Sequence, residues 1–426
     1  MRRPSESSPL PLLASNLRCV TRELEASSAP GLLETAGEDG LLVAREGAGL
    51  AARGVAMRIP LPGGLWAEHV GDGVQELLSA IQSRDEVGLP GCGPVAMGAL
   101  PFDPDRPAEL LVPSQVVGRS PEGRTWVTTI APAGAPERPV LAPVPGWGGP
   151  RWPPDGFNLS SDRSHQDWCN DVAGAIGAIR RGEMSKVVLA RQVTVAANRP
   201  ILVGDVLCRL AALYPSCALF SIEGFVGASP ELLVRRRGTA VVSMPLAGTV
   251  ARSGDADADA RLEAGLLGSQ KDRAEHALVV DDVAKSLWPL CAELHVPDAP
   301  SLVRLRNVSH LGTRLDGMLS PPAPGALGLA AALHPTPAVA GSPRAAALGF
   351  LQSQEPLDRG LYAGPVGWVD ASGDGDWWVG IRSAMIRANE ARLLAGVGVV
   401  ADSEPRAELA ETQLKLQALL AAVVRP

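Results

Sequence analysis

The feature that most constrains the fold is a stretch near the carboxyl end in which three strand-like segments precede a helix. Gly, Asp and Ser residues between the first two segments are typical of a hairpin turn. Tyr362 lies within the first segment, and Arg382 is the single charge in the middle of the second. The pattern therefore predicts strands of an antiparallel sheet over residues 361–369, 377–387 and 391–400.

The third strand and the closing helix carry residues that packing alone does not require. Gly396 and Gly398 lie in an apolar strand, where glycine lets a ligand approach the backbone closely. Glu408, Glu411 and Lys415 are spaced i, i+3 and i+7, so they share one helix face. A solvated helix face and a wet sheet face are the alternative interpretations of these charges. Together the features predict a site for an anionic ligand and a cation.

Charge and cysteine content limit the classes of partner and compartment. The 426 residues include 39 basic and 46 acidic side chains, a net charge of -7, with no basic block. This balance argues against nucleic acid or an anionic membrane surface as a general partner. The six cysteines form no CxxC pair, and no apolar stretch reaches membrane-spanning length. We expect a cytoplasmic protein with reduced thiols and no signal peptide.

The arrangement of predicted elements indicates the α+β class. Helical spacing of apolar residues predicts helices over 164–181 and 261–294, and an apolar run predicts a strand over 185–196. Residues 131–158 are the most proline-rich part of the chain and are typical of a surface connection. Many strands with hairpin turns and few long helices favour a largely antiparallel sheet system with helices outside it.

Several short motifs in the second half combine charged residues with strand ends or turns. Lys186 begins the apolar run KVVLAR, and a lysine in an interior strand is costly if it is charged and unpaired. The other motifs are Glu231 in GASPELL, the PLAGT turn at 245–249, Asp272 and Glu275 in KDRAEH, His310 in SHLGTRLDG and His334 in HPTPAVAGSP.

These motifs, with DRGLYAGPVGW, IRSA, AGVGVV and the closing ExxExxxK, resemble the chorismate-utilising enzymes. The resemblance covers about residues 165 to 420 in the family's order, and its motifs are jointly specific. It implies an α+β single-domain fold in which large antiparallel sheets sandwich the active site and helices cover the outside. Residues 1–160 then complete the sheets and end in the proline-rich connection, and residues 161–426 form the chorismate-binding catalytic part.

The resemblance implies an acid and a base for exchange of a ring hydroxyl. Lys186 is the general base that activates water for attack at C2, and Glu231 is the general acid for the departing C4 hydroxyl. A lysine base must be neutral, which burial favours, and burial also raises the pKa of a carboxyl group. The alternative is a structural Lys–Glu salt bridge between neighbouring strands.

The resemblance also implies a Mg²⁺ ion and a set of substrate contacts. Glu275 and Glu411 are the ligands it indicates, with Asp272 and Glu408 as nearby carboxylates, and Mg²⁺ prefers such oxygen donors. The ion binds the ring carboxylate of chorismate, and arginine suits the enolpyruvyl carboxylate. The remaining predicted substrate-binding residues are Ala247, Gly248, Thr249, His310, Tyr362, Ile381, Arg382, Gly396 and Lys415. A structural role for His310 stays open, and His334 is interpreted as structural.

Three functions remain open within this resemblance. HPTPAVAG and YAGPVGW resemble the isochorismate-forming subgroup, and Lys186 with the small Ala247 indicates water rather than ammonia as the nucleophile. Salicylate formation, in which pyruvate is then eliminated, uses nearly the same residues. A catalytically inactive relative that only binds a ligand or partner is the third possibility. We expect chorismate as the small-molecule partner, no amidotransferase subunit, and a monomer or homodimer.

Overall fold

The structure is a computed structural model that describes residues 10–25, 29–135 and 152–424. Within these ranges the helices lie outside the strands of a large sheet. They are α1 (Leu10–Ser15), α2 (Leu32–Ala36), α3 (Val70–Ser79), α4 (His165–Arg180), α5 (Val203–Leu213), α6 (Ala256–Gly268), α7 (Gln270–Leu287), α8 (Ala326–Leu333), α9 (Arg344–Gln354) and α10 (Pro405–Val424), with a 3-10 turn at Trp288–Leu290.

Most of the described chain between these helices is extended. The strands of the amino-terminal part are β1 (Leu17–Leu24), β2 (Leu41–Arg45), β3 (Ala48–Leu61), β4 (Gln82–Asp85), β5 (Val95–Ala99), β6 (Ala108–Arg119), β7 (Thr125–Pro132) and β8 (Phe157–Ser161). Those that follow are β9 (Lys186–Ala197), β10 (Ala218–Ile222), β11 (Phe225–Ser229), β12 (Leu232–Arg237), β13 (Ala240–Met244), β14 (Leu246–Ala251), β15 (Cys291–His295), β16 (Ser301–Arg304), β17 (Val308–Gly312), β18 (Leu315–Leu319), β19 (Gly341–Ser342), β20 (Pro365–Asp370), β21 (Gly375–Val379), β22 (Ser383–Arg387) and β23 (Glu390–Val399).

Twenty of the described strands belong to one sheet and three to a second, smaller sheet. One limb of the large sheet runs β8–β9–β23–β22–β11–β10–β2–β3–β6–β7–β1–β4. The other runs β5–β20–β21–β12–β13–β18–β15 and joins the first where β5 pairs with β6. The pairings are antiparallel except β1 with β4. The small sheet has the order β14–β17–β16.

The predicted fold class is confirmed, because the chain forms a large antiparallel sheet with helices around it. Strands from the amino-terminal part enter the same sheet as later ones, for example β2 beside β10. The boundary at residue 160 stays a prediction, and residues 136–151 of its proline-rich connection lie outside the described residues. In the described ranges we find no helix that is both long and apolar enough to cross a membrane.

The pairing of β9 with β23 forms the floor of the site described below. The two strands run antiparallel over their length, and Val188 lies opposite Gly398. Val187 and Leu189 point into the main hydrophobic core, where they share a cluster with Val172 of α4. Since side chains alternate along a strand, the residues between them face the opposite side. That side is where the pocket lies.

The segment that carries Tyr362 and Arg382 differs from its prediction. Tyr362 lies in a turn, and β20 begins only at Pro365. The predicted strand over 377–387 is two strands, and Arg382 lies in the break between them with a φ of 52°. Such a left-handed conformation cannot continue a strand. The break takes the arginine out of the alternating pattern and lets it enter the pocket.

The single helix predicted over 261–294 is also wrong. The chain breaks at Ser269, whose side chain accepts a hydrogen bond from the backbone N–H of Asp272 and so caps α7. Helix α7 ends at Leu287, a 3-10 turn containing Pro289 follows, and residues 291–295 form β15. The cap fixes where α7 begins, which places Asp272 in its first turn.

Candidate active site

One pocket lies between β9 and β23 of the large sheet, β14 and β17 of the small sheet, and helices α7 and α10. Its cavity volume is about 120 Å³. The structure brings together in its lining every residue that the sequence predicted for the site: Lys186, Glu231, Ala247, Gly248, Thr249, Asp272, Glu275, His310, Tyr362, Ile381, Arg382, Gly396, Glu408, Glu411 and Lys415. Their chemical roles stay predictions.

Lys186 is the first residue of β9 and is almost fully buried, with 1% of its surface exposed. Its ammonium lies 2.8 Å from the Glu275 carboxylate of α7. Gly398 of β23 makes room for this pair, because a Cβ there would lie 2.8 Å from Lys186 Cε and 2.6 Å from Glu275 Oε1. The ion pair is therefore with Glu275 and does not take the alternative form of a Lys186–Glu231 bridge.

Glu231 lies between β11 and β12, directly after Pro230, and is 3% exposed. Its backbone carbonyl accepts from Val379 N–H at 3.0 Å, which fixes the turn. Burial raises the pKa of Glu231 to about 8, although a backbone hydrogen bond from Leu246 and the charge of Lys186 oppose the rise. The carboxyl group is therefore largely protonated at neutral pH, as a general acid must be.

Four carboxyl residues of α7 and α10 line the pocket near these residues, namely Asp272, Glu275, Glu408 and Glu411. Burial alone would raise the pKa of Glu275, but the charge of Lys186 and its hydrogen bond leave that pKa below its usual value. Burial raises the pKa of Glu408 to about 7, and repulsion from Glu411 and Glu275 adds to the rise. Glu411 is paired with Lys415 at 2.7 Å. Glu275 and Glu411 are thus each paired with a lysine.

The acidic cluster fits a magnesium ion only with help from a ligand. In the described parts of the chain, no group of three or more His, Cys, Asp or Glu side chains is placed to hold a metal ion. Glu275 and Glu411 nevertheless supply hard oxygen donors from two helices to one pocket. Mg²⁺ commonly binds one or two carboxylates and keeps other positions for water or substrate oxygen. The donor set is therefore consistent with an ion completed by a bound anion.

The Arg382 guanidinium is held by His310, which is itself held by Thr249 and the backbone of Gly248. Arg382 Nη2 lies 3.1 Å from His310 Nε2, and His310 Nδ1 lies 3.1 Å from Thr249 Oγ1 and 3.2 Å from the Gly248 carbonyl. Burial, with the charge of Arg382, lowers the pKa of His310 to about 3, so the ring is neutral. Arginine can only donate, so Nε2 accepts and the proton lies on Nδ1. His310 thus orients the arginine.

This end of the pocket keeps donors available for an anion. Arg382 Nη1 is buried and has no hydrogen-bond partner in the described residues. An unsatisfied buried donor is costly unless a ligand completes it. Lys415 donates to the Gly396 carbonyl at 2.9 Å, and the Tyr362 hydroxyl lies next to the same backbone. These groups can bind a carboxylate at a distance from Lys186.

Two charged lining residues were not predicted although their motifs were noted. Lys271 belongs to KDRAEH and lies at the exposed mouth of the pocket. Arg359 belongs to DRGLYAG and lines the pocket while almost fully buried. The resemblance assigned roles to neighbouring residues of the same motifs. The spacing of Lys271 and Arg359 in the sequence did not distinguish them from charged residues on the surface. His334, interpreted as structural, lies outside the lining and its Nε2 is 2.9 Å from the Phe102 carbonyl.

The pocket gathers a buried lysine, buried carboxyl groups and an arginine, a set of groups suited to acid–base chemistry on a small anion. A family model described as "Chorismate binding enzyme" matches residues 153–424. The chain is 40% identical over 341 residues to the isochorismate synthase DhbC of Bacillus subtilis (strain 168), covering 78% of this chain and 81% of that protein. The chain belongs to the family of chorismate-binding enzymes.

Two further comparisons agree with this membership. The chain is 45% identical over 269 residues to the salicylate biosynthesis isochorismate synthase of Pseudomonas aeruginosa (strain PAO1), covering 61% of this chain and 55% of that protein. The solved structure of the menaquinone-specific isochorismate synthase MenF from Escherichia coli superposes with a TM-score of 0.79 at 25% identity. That match covers 96% of this chain and 95% of the other.

Proposed function

We propose that this enzyme is an isochorismate synthase, which adds water at C2 of chorismate and removes the C4 hydroxyl. The observation that carries the proposal is that a buried lysine and a buried carboxyl group line the same pocket. Lys186 supplies the base and Glu231 supplies the acid. The relatives' names, each of which is an isochorismate synthase, support the same reaction.

The reaction needs both groups because its two steps are individually difficult. Water is a poor nucleophile at neutral pH and needs a base to accept its proton as attack on C2 proceeds. Lys186 can be that base only after it has lost to solvent the proton that it holds in the ion pair with Glu275. Hydroxide is a poor leaving group, so Glu231 must donate its proton to the C4 oxygen, which then leaves as water. Each such proton transfer contributes roughly 10²- to 10⁴-fold in rate.

The two carboxylates of chorismate fit opposite ends of the pocket. Arg382, oriented by His310, offers an unpaired N–H for the enolpyruvyl carboxylate. Glu275 and Glu411 would hold Mg²⁺, with Asp272 and Glu408 nearby, and that ion would neutralise the ring carboxylate. Gly248 also lies beside α7, since a Cβ there would lie 3.4 Å from Asp272 Cβ, while Thr249 contacts His310. This arrangement orients the ring between Lys186 and Glu231.

We place this reaction in the cytoplasm, in a monomer or homodimer without an amidotransferase subunit. Water rather than ammonia is the nucleophile in the proposal, because Lys186 is present and Ala247 keeps the turn small. The relatives' names refer to salicylate and menaquinone biosynthesis. The proposed step is the isochorismate formation that these names share.

A product assay tests the proposal. Purified enzyme is incubated with chorismate and Mg²⁺ near neutral pH, while pyruvate is followed with a coupled dehydrogenase and salicylate by fluorescence. We expect the wild type to consume chorismate and form isochorismate with little pyruvate. The Lys186→Ala variant should not consume chorismate. Stoichiometric pyruvate with salicylate would make the enzyme a salicylate synthase. Tight chorismate binding without turnover at any Mg²⁺ concentration would identify a ligand-binding relative instead.

A further inference from the structure

The outer edge of β9 has a gap in its strand pairing close to Lys186. One edge of β9 pairs with β23 along the strand. On the other edge β19 pairs with residues 186 and 187, and β8 pairs with residues 193–197. Among the described residues no strand on this edge pairs with the segment 188–192 between them. At its two ends the Val188 N–H donates to the Ala340 carbonyl, and the Gln192 carbonyl accepts from the Asp162 N–H. Backbone groups left unpaired in a buried strand need other partners.

Two charged side chains occupy this gap. Arg359 Nη2 donates to the Val188 carbonyl at 2.5 Å, and the Ala190 N–H donates to Glu355 Oε2 at 2.8 Å. The two side chains are joined to each other by Arg359 Nε to Glu355 Oε1 at 2.6 Å and Nη2 to Oε2 at 2.8 Å. The pair therefore presents a donor and an acceptor to β9, as a neighbouring strand would.

The Arg359–Glu355 ion pair is buried, and hydrogen bonds to the backbone hold it in place, unlike an ion pair on the surface. The side chains of Arg359 and Glu355 are 3% and 6% exposed. Arg359 Nη1 donates to the Val339 carbonyl at 2.9 Å, and its guanidinium carbon lies 4.3 Å from the centre of the Phe102 ring. Buried ions of this kind are tolerated only where hydrogen bonds replace their water. Here backbone groups of the site supply those bonds.

Arg359 also links β9 to the turn that carries Tyr362. The Tyr362 N–H donates to the Arg359 carbonyl at 2.9 Å, so the backbone of this residue fixes the tyrosine. Its side chain meanwhile holds the strand two residues from Lys186. Arg359 thus contacts segments from both ends of the pocket, the base end and the end lined by Gly396.

We propose that Arg359 and Glu355 are positioning residues that substitute for a missing strand and hold Lys186 in register with the substrate-binding turn. The proposal rests on Lys186 being the base of the proposed function. The pair touches the backbone of β9 and acts on the reaction through it. Its loss lets residues 188–190 move, and a displacement of about 1 Å in a reacting group costs about 100-fold in rate.

The kinetic test compares Arg359→Gln and Glu355→Gln with Arg106→Gln. Arg106 pairs with the neighbouring Asp358 at 2.7 Å but is exposed, so it is a matched control without contact to β9. We expect kcat to fall about 100-fold in the two buried variants with KM changed less than about threefold. In Arg359→Lys the ion pair with Glu355 can re-form, but a lysine cannot reach the Val188 and Val339 carbonyls together as the guanidinium does. Relative to Arg359→Gln, this variant should therefore recover more of the melting temperature than of kcat.

A double-mutant comparison separates positioning from general destabilisation. In a Lys186→Ala background, Arg359→Gln should lower the residual turnover by less than about twofold, because residues that act through one group are not additive. A full further loss in that background would overturn the proposal. So would Arg359→Gln or Glu355→Gln enzyme with a wild-type kcat.

Hydrogen exchange tests the pair without reference to activity. The Ala190 amide should exchange faster in Glu355→Gln and Arg359→Gln, while the amides of β23 stay protected. Unchanged protection of Ala190 in folded variants would overturn the proposal even if turnover fell. If wild-type protein does not consume chorismate but exchange responds as expected, the proposed function fails while the structural role of the pair stands.

Discussion

The Lys186 ammonium and the Glu275 carboxylate form a 2.8 Å ion pair that joins the proposed base to a proposed metal ligand. Lys415 holds Glu411, the other proposed ligand, at 2.7 Å in the same way. Each of these two proposed Mg²⁺ ligands therefore already has a lysine ammonium group beside it. A metal ion entering the pocket must compete with these two ammonium groups.

This competition predicts that Lys186→Ala binds Mg²⁺ more tightly than the wild type when chorismate is absent. Removing the ammonium frees Glu275 and removes a like charge, so we expect a gain of about tenfold, or about 1.4 kcal/mol. Isothermal titration calorimetry measures it. Lys285→Ala, an exposed lysine on the same helix, is the control and should bind as the wild type does. Equal or weaker binding by Lys186→Ala would contradict the competition.

The raised pKa of Glu231 predicts how stability depends on pH. Its folded-state pKa of about 8 exceeds the usual 4.5, so the folded protein binds the extra proton between these values. Stability from this group is complete below about pH 4.5 and is lost as pH rises toward about 8. Glu231→Gln cannot titrate. The melting temperature of this variant minus that of the wild type should therefore rise with pH across that window and become constant above it.

Thermal unfolding between pH 5 and 9 measures this difference. The control variant Glu68→Gln changes an exposed glutamate. Its melting temperature should differ from that of the wild type by the same amount at every pH. Turnover should fall by at least about 100-fold in Glu231→Gln, because the amide cannot protonate the leaving oxygen. A melting-temperature difference that does not change with pH would show that Glu231 is already ionised at neutral pH.

Local sequence patterns were sufficient for the elements that form the floor and rim of the site. The apolar run after Lys186 predicted β9, the strand with Gly396 and Gly398 is β23, and the helical spacing of Glu408 and Glu411 is realised in α10. In each case the residues that determine the element lie within the element itself. Period-2 and period-3.6 patterns report such local order directly.

Long-range contacts explain what the sequence did not predict. At the break, Arg382 takes a φ of 52° and its side chain donates a hydrogen bond to His310 on another strand, a contact that the apolar run around the arginine does not indicate. Arg359 contacts Val188, 171 positions away in the chain, so no nearby pattern distinguishes it from a surface arginine. Ser269 is a local cap signal for α7, but the apolar periodicity on both sides concealed it.

The orientation of Arg382 by a neutral histidine predicts a specific effect of His310→Ala. Loss of one hydrogen bond to a charged group, worth about 1.5 kcal/mol, should raise KM for chorismate about tenfold with little change in kcat. Arg382→Ala removes the charge itself and should raise KM about 100-fold. Steady-state kinetics with His295→Ala, an exposed histidine, as control distinguishes these effects.

The same measurement at several pH values checks the tautomer argument. Burial lowers the pKa of His310 to about 3, so the ring stays neutral from pH 5.5 to 7.5 and KM should show no step due to its ionisation. A step in KM near pH 6.5 that disappears in His310→Ala would mean that the histidine binds chorismate as a cation. In that case it could not accept a hydrogen bond from Arg382.

The close approach of β23 to the catalytic pair predicts that Gly398→Ala abolishes turnover while the fold survives. The new Cβ would lie 2.6 Å from Glu275 Oε1 and 2.8 Å from Lys186 Cε, so both side chains must move. These atoms are near the ends of flexible side chains and can shift without moving the backbone. We expect kcat to fall at least about 100-fold with a small change in melting temperature.

Gly174→Ala is the matched control, because Gly174 lies in α4 and its added Cβ would meet nothing within 4 Å. That variant should retain full turnover. Its free energy of unfolding should rise by about 0.5–1 kcal/mol, because alanine has less backbone freedom than glycine in the unfolded chain. Circular dichroism and thermal unfolding of both variants confirm that the comparison is between folded proteins. A Gly398→Ala enzyme with wild-type kcat would show that Lys186 and Glu275 need not be adjacent during the reaction, and that Lys186 reaches chorismate from another position.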